Sequence, residues 1–123
     1  LQSLNQKRKL LTQAGVEVAL KQINPENKIQ ILFHADWTAG ILGLIASRIC
    51  EKTGQPTIAC SVKSDGTIGA SCRSIEGVSI IEILNKTSDY LKYFGGHDGA
   101  AGFVCESENF ETLKSNCNVY LKY

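Results

Sequence analysis

From residue 28 onward, short apolar runs alternate with segments of helical periodicity, and no other feature of the sequence constrains the fold as much. Four apolar runs predict strands at residues 29–35, 57–62, 67–72 and 102–105. Helices are predicted at residues 40–52, at 79–91 behind a capping box, and after Ser107. We therefore predict an α/β fold in one domain, in which a mixed β-sheet of about four to five strands is flanked by helices.

A further helix is predicted at residues 4–23, ahead of this pattern. Its apolar positions at helical spacing are Leu4, Leu11, Ala14 and Val18. Pro25 follows it, because proline cannot continue a helix. Two interpretations stay open: a packed first helix, or a connector from an upstream domain. The chain contains no methionine, so we expect a processed product or a piece of a longer protein.

The charge balance is nearly even, with 13 lysines and arginines against 12 acidic residues and a net charge of +1. A non-specific polycation is therefore excluded, and contact with nucleic acid requires a local site. No apolar run has the roughly 18–20 residues that a membrane helix needs, so we expect no contact with a membrane.

The five cysteines are scattered and include no C-x-x-C pair. They stand in apolar runs, which indicates buried free thiols in a reducing compartment, the cytoplasm. His34 and Asp36 share one face of a strand end, but two ligands are too few for a metal site. We therefore predict no metal site in this chain.

The glycine-rich segment at residues 95–102 is the first candidate site. Four of the 11 glycines fall in this segment, together with His97. Glycines let a ligand approach the backbone, successive N–H groups can bind an anion, and a histidine can donate to a phosphate. The alternative is a tight turn between a helix and a strand, in which His97 caps the helix end.

Two arginines form the second candidate site. Arg48 lies in an otherwise apolar helical segment, and Arg73 ends the third predicted strand. A guanidinium suits phosphate binding through two parallel hydrogen bonds and is costly to bury unpaired. Phosphate binding is one interpretation, and simple exposure is another. The third is an internal salt bridge, for which the candidate partners are Glu51, Glu76 and Glu82.

Three segments carry a resemblance to a known family: WTAGILGLIASR at residues 37–48, SCRSI at 71–75 and GGHDGAAG at 95–102. In this order they resemble motifs of the DHH-associated domain of the RecJ exonuclease family, in the DHH phosphoesterase superfamily. The last motif, GGHxxAAG, is specific. The resemblance covers nearly the whole chain and predicts a connector helix over residues 1–27, coming from an upstream catalytic domain, and a DHH-associated substrate-binding domain over 28–123.

The resemblance implies that the chain is the nucleic-acid-binding half of an enzyme of DNA repair and recombination. Such an enzyme hydrolyses single-stranded DNA, in the 5′ to 3′ direction. In the family an upstream domain with an Asp-His-His motif holds Mn²⁺ or Mg²⁺, so we expect this chain to bind no metal and to be inactive alone. Single-stranded DNA is the implied partner, and single-strand binding protein is a further candidate.

The resemblance also implies roles for particular residues. Those that bind substrate phosphates would be Arg48, Ser71, Arg73, Ser74, Gly95 and Gly96, and His97 would assist catalysis from across a cleft. Two alternative functions stay open. One is an oligoribonuclease or phosphoadenosine-phosphate phosphatase of the same superfamily, and the other is a non-catalytic nucleic-acid-binding module.

Overall fold

The computed structural model describes residues 3–120. The helices are α1 (Leu4–Leu20), α2 (Ala39–Thr53), α3 (Ile80–Lys86) and α4 (Phe110–Tyr120). The strands are β1 (Gln30–Phe33), β2 (Thr57–Val62), β3 (Ile68–Arg73), β4 (Tyr93–Gly96) and β5 (Ala100–Cys105). They form one sheet in the order β1-β2-β3-β5-β4, in which β1 and β2 are parallel and the other pairs antiparallel. This confirms the predicted α/β fold with a mixed sheet flanked by helices.

The two faces of the sheet carry different residues, because side chains alternate along each strand. One face, which we call the core face, packs against α3 and α4, and its buried residues include Ile58, Cys60, Cys72, Phe103 and Cys105. The opposite face, which we call the α2 face, packs against α2 through Leu32 of β1 and Ala59 of β2. The sheet therefore separates two hydrophobic clusters.

Helix α1 packs against α2 mainly through small residues, and of its predicted apolar positions Val18 packs there while Leu4, Leu11 and Ala14 are exposed. Its buried residues are Thr12, Gly15 and Ala19. A Cβ added to Gly15 would lie 2.6 Å from Cδ1 of Ile45, so a larger residue at this position would force the Ile45 side chain to shift. Leu4 is 84% exposed and Leu11 is 53% exposed, so the predicted apolar face is wrong at these positions. The role of α1 as a connector stays a prediction.

The glycine-rich segment lies in a β-hairpin, where the sequence predicts the end of a helix. Strand β4 was not among the predicted strands, and it pairs with β5 so that Gly95 lies opposite Gly102. The predicted helix-to-strand turn is therefore wrong. Strand β4 has the sequence YFGG and lies at an edge of the sheet, so it lacks the apolar alternation by which a strand is recognised.

Two helix boundaries also differ from the prediction. Helix α3 ends at Lys86 instead of continuing to Leu91, because the backbone of Thr87, at φ −105° and ψ 12°, leaves helical geometry. A 3₁₀ turn at Ser88–Tyr90 follows. Ser107 begins another 3₁₀ turn, and α4 starts at Phe110. Within residues 3–120, every helix is too short or too polar to cross a bilayer.

Gly96 and Gly95 provide a test of the hairpin. Gly96 has φ +142°, and its added Cβ would lie 2.5 Å from the carbonyl oxygen of Ala100, whereas a Cβ on Gly95 would meet no heavy atom within 4 Å. We expect Gly96→Ala to lower the free energy of unfolding by about 1–3 kcal/mol because of strain. Gly95→Ala should change it by less than about 0.5 kcal/mol. Urea denaturation measures both, and equal losses would contradict this hairpin geometry.

The five cysteines are free and buried, which confirms the prediction of buried thiols. Burial raises the pKa of Cys105 to about 11 and that of Cys117 to about 12. An unfolded thiol ionises near pH 8.5, so the unfolded state loses these protons first as the pH rises. The thiol contribution to stability is therefore complete below about pH 8.5 and is lost as the pH rises toward 11–12.

We expect this loss to appear in urea denaturation between about pH 8.5 and 11, with a slope of up to about 1.4 kcal/mol per pH unit for each such thiol. A Cys117→Ala variant serves as the matched control. It should show a shallower pH dependence than the parent chain, even though its stability at neutral pH is lower. Identical slopes in the two proteins would contradict the raised pKa of Cys117.

Candidate functional site

A groove of about 370 Å³ lies between α2 and strand β3. Its residues include Gly40, Gly43 and Ser47 of α2, Ser71 and Arg73 of β3, and Arg8 of α1. The three α2 residues follow one another at helical spacing, so a single side of the helix forms one wall. Ser71 and Arg73 are two residues apart on a strand, so both point toward this wall. Ser71 and Arg73, two of the predicted site residues, therefore line one groove together with residues of α1 and α2.

The guanidinium of Arg73 is held against α2 and not by an acidic partner. Its Nη1 donates to the carbonyl oxygen of Cys72 at 2.8 Å, and its Nη2 lies 2.6 Å from where a Cβ of Gly43 would be. Within residues 3–120, ion pairs within 4.0 Å join Lys92 to Glu106 and Lys114 to Glu111, and none involves an arginine. The alternative of an internal salt bridge is therefore wrong for Arg73, and its remaining N–H groups can serve a ligand.

The serines near Arg73 differ in how they are engaged. Ser71 and Ser47 line the groove, and their hydroxyls make no hydrogen bond to another residue in the described chain. The hydroxyl of Ser74 instead donates to the carbonyl oxygen of Val78 at 2.7 Å, and the Ser74 amide donates to that of Gly99 at 2.9 Å. Ser74 thus holds the end of β3 in place, whereas Ser71 and Ser47 are available to a ligand.

His97 lies at the exposed tip of the β4–β5 hairpin. Its amide donates to the carbonyl oxygen of Ala100 at 2.9 Å, and the Gly99 amide donates to its Nδ1 at 3.3 Å. Since Nδ1 accepts this hydrogen bond, Nε2 carries the proton of the neutral ring and remains a free donor. The histidine therefore does not cap a helix, and that alternative is wrong.

Side-chain and backbone contacts anchor the tip of this hairpin to α3. The carboxylate of Asp98 accepts from the Ser79 hydroxyl at 2.7 Å, and the Asp98 carbonyl accepts from the Ile80 amide at 3.0 Å. Ser79 also caps α3 by accepting from the Glu82 amide. The position of His97 is thus tied to the start of a helix and not to a loose loop.

The strand register extends the groove toward the hairpin. Ser71 lies opposite Gly102, which lies opposite Gly95, and Arg73 lies opposite Ala100. We call this set of small residues on the α2 face (Ser71, Gly95, Ala100 and Gly102) the shelf. Neighbouring strands are about 4.8 Å apart, so the shelf extends about 10 Å from Ser71 to Gly95. Its lack of large side chains leaves room for a ligand that runs from the groove toward the hairpin.

The structure does not bring all predicted residues together. Arg48 is exposed on α2 and lies outside the groove. Arg8 and Ser47 line the groove but were not among the predicted site residues. The spacing of Gly40, Gly43 and Ser47 along one side of an apolar helix is a signal that could have identified Ser47. Nothing in the sequence indicates Arg8, because its position depends on how α1 crosses α2.

The residues present do not form a metal site. Among residues 3–120, no group of three or more histidine, cysteine, aspartate or glutamate side chains could hold an ion. The groove is lined by two arginines and two serines and by no carboxylate, imidazole or thiol, which favours an anion over a cation.

Comparison with known proteins identifies relatives of this chain. The DHHA1 domain family matches residues 16–122. The single-stranded-DNA-specific exonuclease RecJ of Thermus thermophilus is 33% identical over 98% of this chain, and that of Bacillus subtilis is 28% identical over 96%. The chain spans 17% and 16% of the length of these two relatives.

Solved structures agree with this relationship. The crystal structure of Thermus thermophilus RecJ in complex with Mg²⁺ has a TM-score of 0.86 and 32% identity to this chain, and the match covers 95% of this chain and 18% of that one. The C-Ala domain of Aquifex aeolicus alanyl-tRNA synthetase, at 17% identity and a TM-score of 0.58 over 73% of this chain and 90% of that one, shares the fold alone. The chain therefore belongs to the DHHA1 domain family, as its three motifs predict, and within that family it is similar to the domain found in RecJ.

Proposed function

We propose that this chain is the nucleic-acid-binding half of a single-stranded-DNA-specific exonuclease of the RecJ type. The observation that carries the proposal is the Arg73 guanidinium, which has no carboxylate within 4.0 Å in residues 3–120 and shares a sheet face with Ser71 and Gly95. A half-buried, unpaired guanidinium beside free hydroxyls suits a phosphate diester. The RecJ relatives act on single-stranded DNA, which supports the same ligand here.

The groove supplies the phosphate contacts in this proposal. Arg73 donates through its guanidinium, and Ser71 and Ser47 donate through their hydroxyls. The start of α2 lies at the same groove through Ala39 and Gly40, so the positive end of the helix dipole also favours an anion. Arg48, exposed on α2 outside the groove, is proposed as a contact for a more distant phosphate.

The hairpin supplies the groups nearest the scissile phosphate in this proposal. Gly95 exposes backbone at the shelf, Gly96 follows it at the end of β4, and the free Nε2–H of His97 can donate to an oxygen on which negative charge develops. The relatives were solved with Mg²⁺ or Mn²⁺. We propose that the upstream domain of the longer protein holds such ions and supplies the attacking hydroxide. The residues of this chain bind the strand and orient it.

The cellular setting follows from the same proposal. Five free thiols indicate a reducing compartment, for which we propose the cytoplasm. Single-strand binding protein is a candidate partner of the longer protein, because both would act on the same strands.

Arg73 gives the most direct test of phosphate binding. Each phosphate neutralised on a single strand contributes about 0.7 to the slope of log K against log salt concentration. We expect Arg73→Ala to flatten that slope by about 0.7 for an oligo-dT strand. Arg73→Lys should keep the slope but lose affinity, since the bidentate fork is gone. Fluorescence anisotropy at several salt concentrations measures both effects.

Lys7→Ala is the matched control, because Lys7 is an exposed cation on α1 outside the groove. It should leave the slope unchanged. A slope that responds to Lys7 and not to Arg73 would mean that the arginine is structural and that strands bind elsewhere. Circular dichroism of each variant confirms that the fold is retained.

His97 gives a separate test of catalysis in the longer protein. We expect His97→Ala to lower kcat by about 10²–10³, because it removes a donor that acts on charge developing in the transition state. Binding of single-stranded DNA should change little. Single-turnover hydrolysis of an end-labelled strand measures the rate, and the 123-residue chain alone should release no nucleotides. A change confined to KM would assign His97 to positioning only.

A further inference from the structure

The α2 face of the sheet continues beyond the shelf to an exposed aromatic residue. Tyr93 begins the edge strand β4 and is 60% exposed. It lies two residues before Gly95, so both point to the same face of the sheet, about 7 Å apart. A large aromatic side chain this exposed, next to a row of glycines, is free to stack with a flat ligand.

Lys63 reaches the same part of this face from the turn between β2 and β3. The Lys63 amide donates to the carbonyl oxygen of Thr67 at 2.8 Å, which closes the turn. Its Cδ and Cγ lie 3.1 and 3.2 Å from where a Cβ of Gly69 would be. The side chain therefore lies across the sheet at Gly69, in space that any other residue at position 69 would occupy.

The charge of Lys63 is available to a ligand. The lysine is exposed and forms no ion pair within 4.0 Å with a described residue. Asp65, in the same turn, accepts hydrogen bonds from the amide and the hydroxyl of Thr67 at 3.0 and 2.6 Å. Lys92, next to Tyr93, is already paired with Glu106 at 3.3 Å.

The strand register joins these two side chains into one row. Gly69, over which Lys63 lies, is opposite Val104, and Val104 is opposite Tyr93. Val104 lies between them and is only 7% exposed, so this apolar floor is already largely covered. This row lies about 7 Å from the row of Ser71, Gly102 and Gly95. A cation, an apolar floor and an exposed ring thus follow the groove on the same surface.

We propose that Lys63 and Tyr93 form a second nucleotide subsite, in which Tyr93 stacks on a base and Lys63 binds the adjoining phosphate. The subsite rests on the proposed function, because it extends the path of a strand whose neighbouring phosphate is held by Arg73 and Ser71. Aromatic stacking on successive bases combined with cationic contacts to the backbone is how proteins hold single strands without reading their sequence.

The test compares oligo-dT strands of increasing length, titrated into the 123-residue chain and its variants. Tyr93→Ala should weaken binding of the longer strands by about 5- to 150-fold, the loss expected for one base–aromatic stack. A mononucleotide that fills only the groove should bind as before. Tyr93→Phe should bind like the parent chain, since it keeps the ring. Replacing one thymidine in the strand by an abasic residue, position by position, should reproduce the Tyr93→Ala loss at one position only.

Lys63→Ala should reduce the salt slope by about 0.7 for the longer strands. Its matched control is Lys21→Ala, an exposed lysine beside Gln22, whose side chain binds the backbone of Phe33 at the opposite edge of the sheet. Unchanged binding of every strand by Tyr93→Ala and Lys63→Ala, while Arg73→Ala still weakens binding, would overturn the subsite and leave the proposed function intact. A parent chain that binds no strand at all would overturn both.

Discussion

The guanidinium of Arg73 lies against Gly43 of α2, and the groove depends on this contact. A Cβ at position 43 would lie 2.6 Å from Nη2 and would displace the side chain from the wall. A guanidinium that is less ordered before binding loses more entropy when it binds a ligand. Glycine at this position therefore keeps the cation ordered without an acidic partner. The arrangement orders a positive charge before the anion arrives.

A second glycine contact sets the position of α2 itself. Gly15 of α1 approaches Ile45 on one side of α2, while Arg73 approaches Gly43 from the sheet. The helix is thus held between α1 and the sheet, with both contacts made through positions that lack a side chain. Arg8 reaches the groove only because α1 lies this close to α2. The packing of α1 against α2 therefore also determines which residues line the groove.

The sequence predicts some elements better than others, because different interactions determine where each element forms. Strand β2 is predicted at its observed bounds, because its apolar run is buried on both faces of the sheet. Strand β4 was missed, because Tyr93 and two glycines give no periodic signal and the strand forms only by pairing with β5. The predicted apolar face of α1 is wrong at Leu4 and Leu11, because the close contact between Gly15 and Ile45 determines which side of the helix packs. Arg73 was predicted as a site residue from its type and place and lines the groove, whereas the position of Arg8 depends on the three-dimensional packing.

The two faces of the sheet differ in how they are packed: one is covered by a hydrophobic core, and the other carries the groove. The core face carries large apolar residues and cysteines that are buried against α3 and α4. The shelf on the α2 face carries glycine, alanine and serine, which bury little area and add little stability. In the proposed function, these small residues leave room for a strand to approach the sheet. Because the net charge is only +1, the proposed binding of a strand has to rely on the few cations along this face and not on a long-range field.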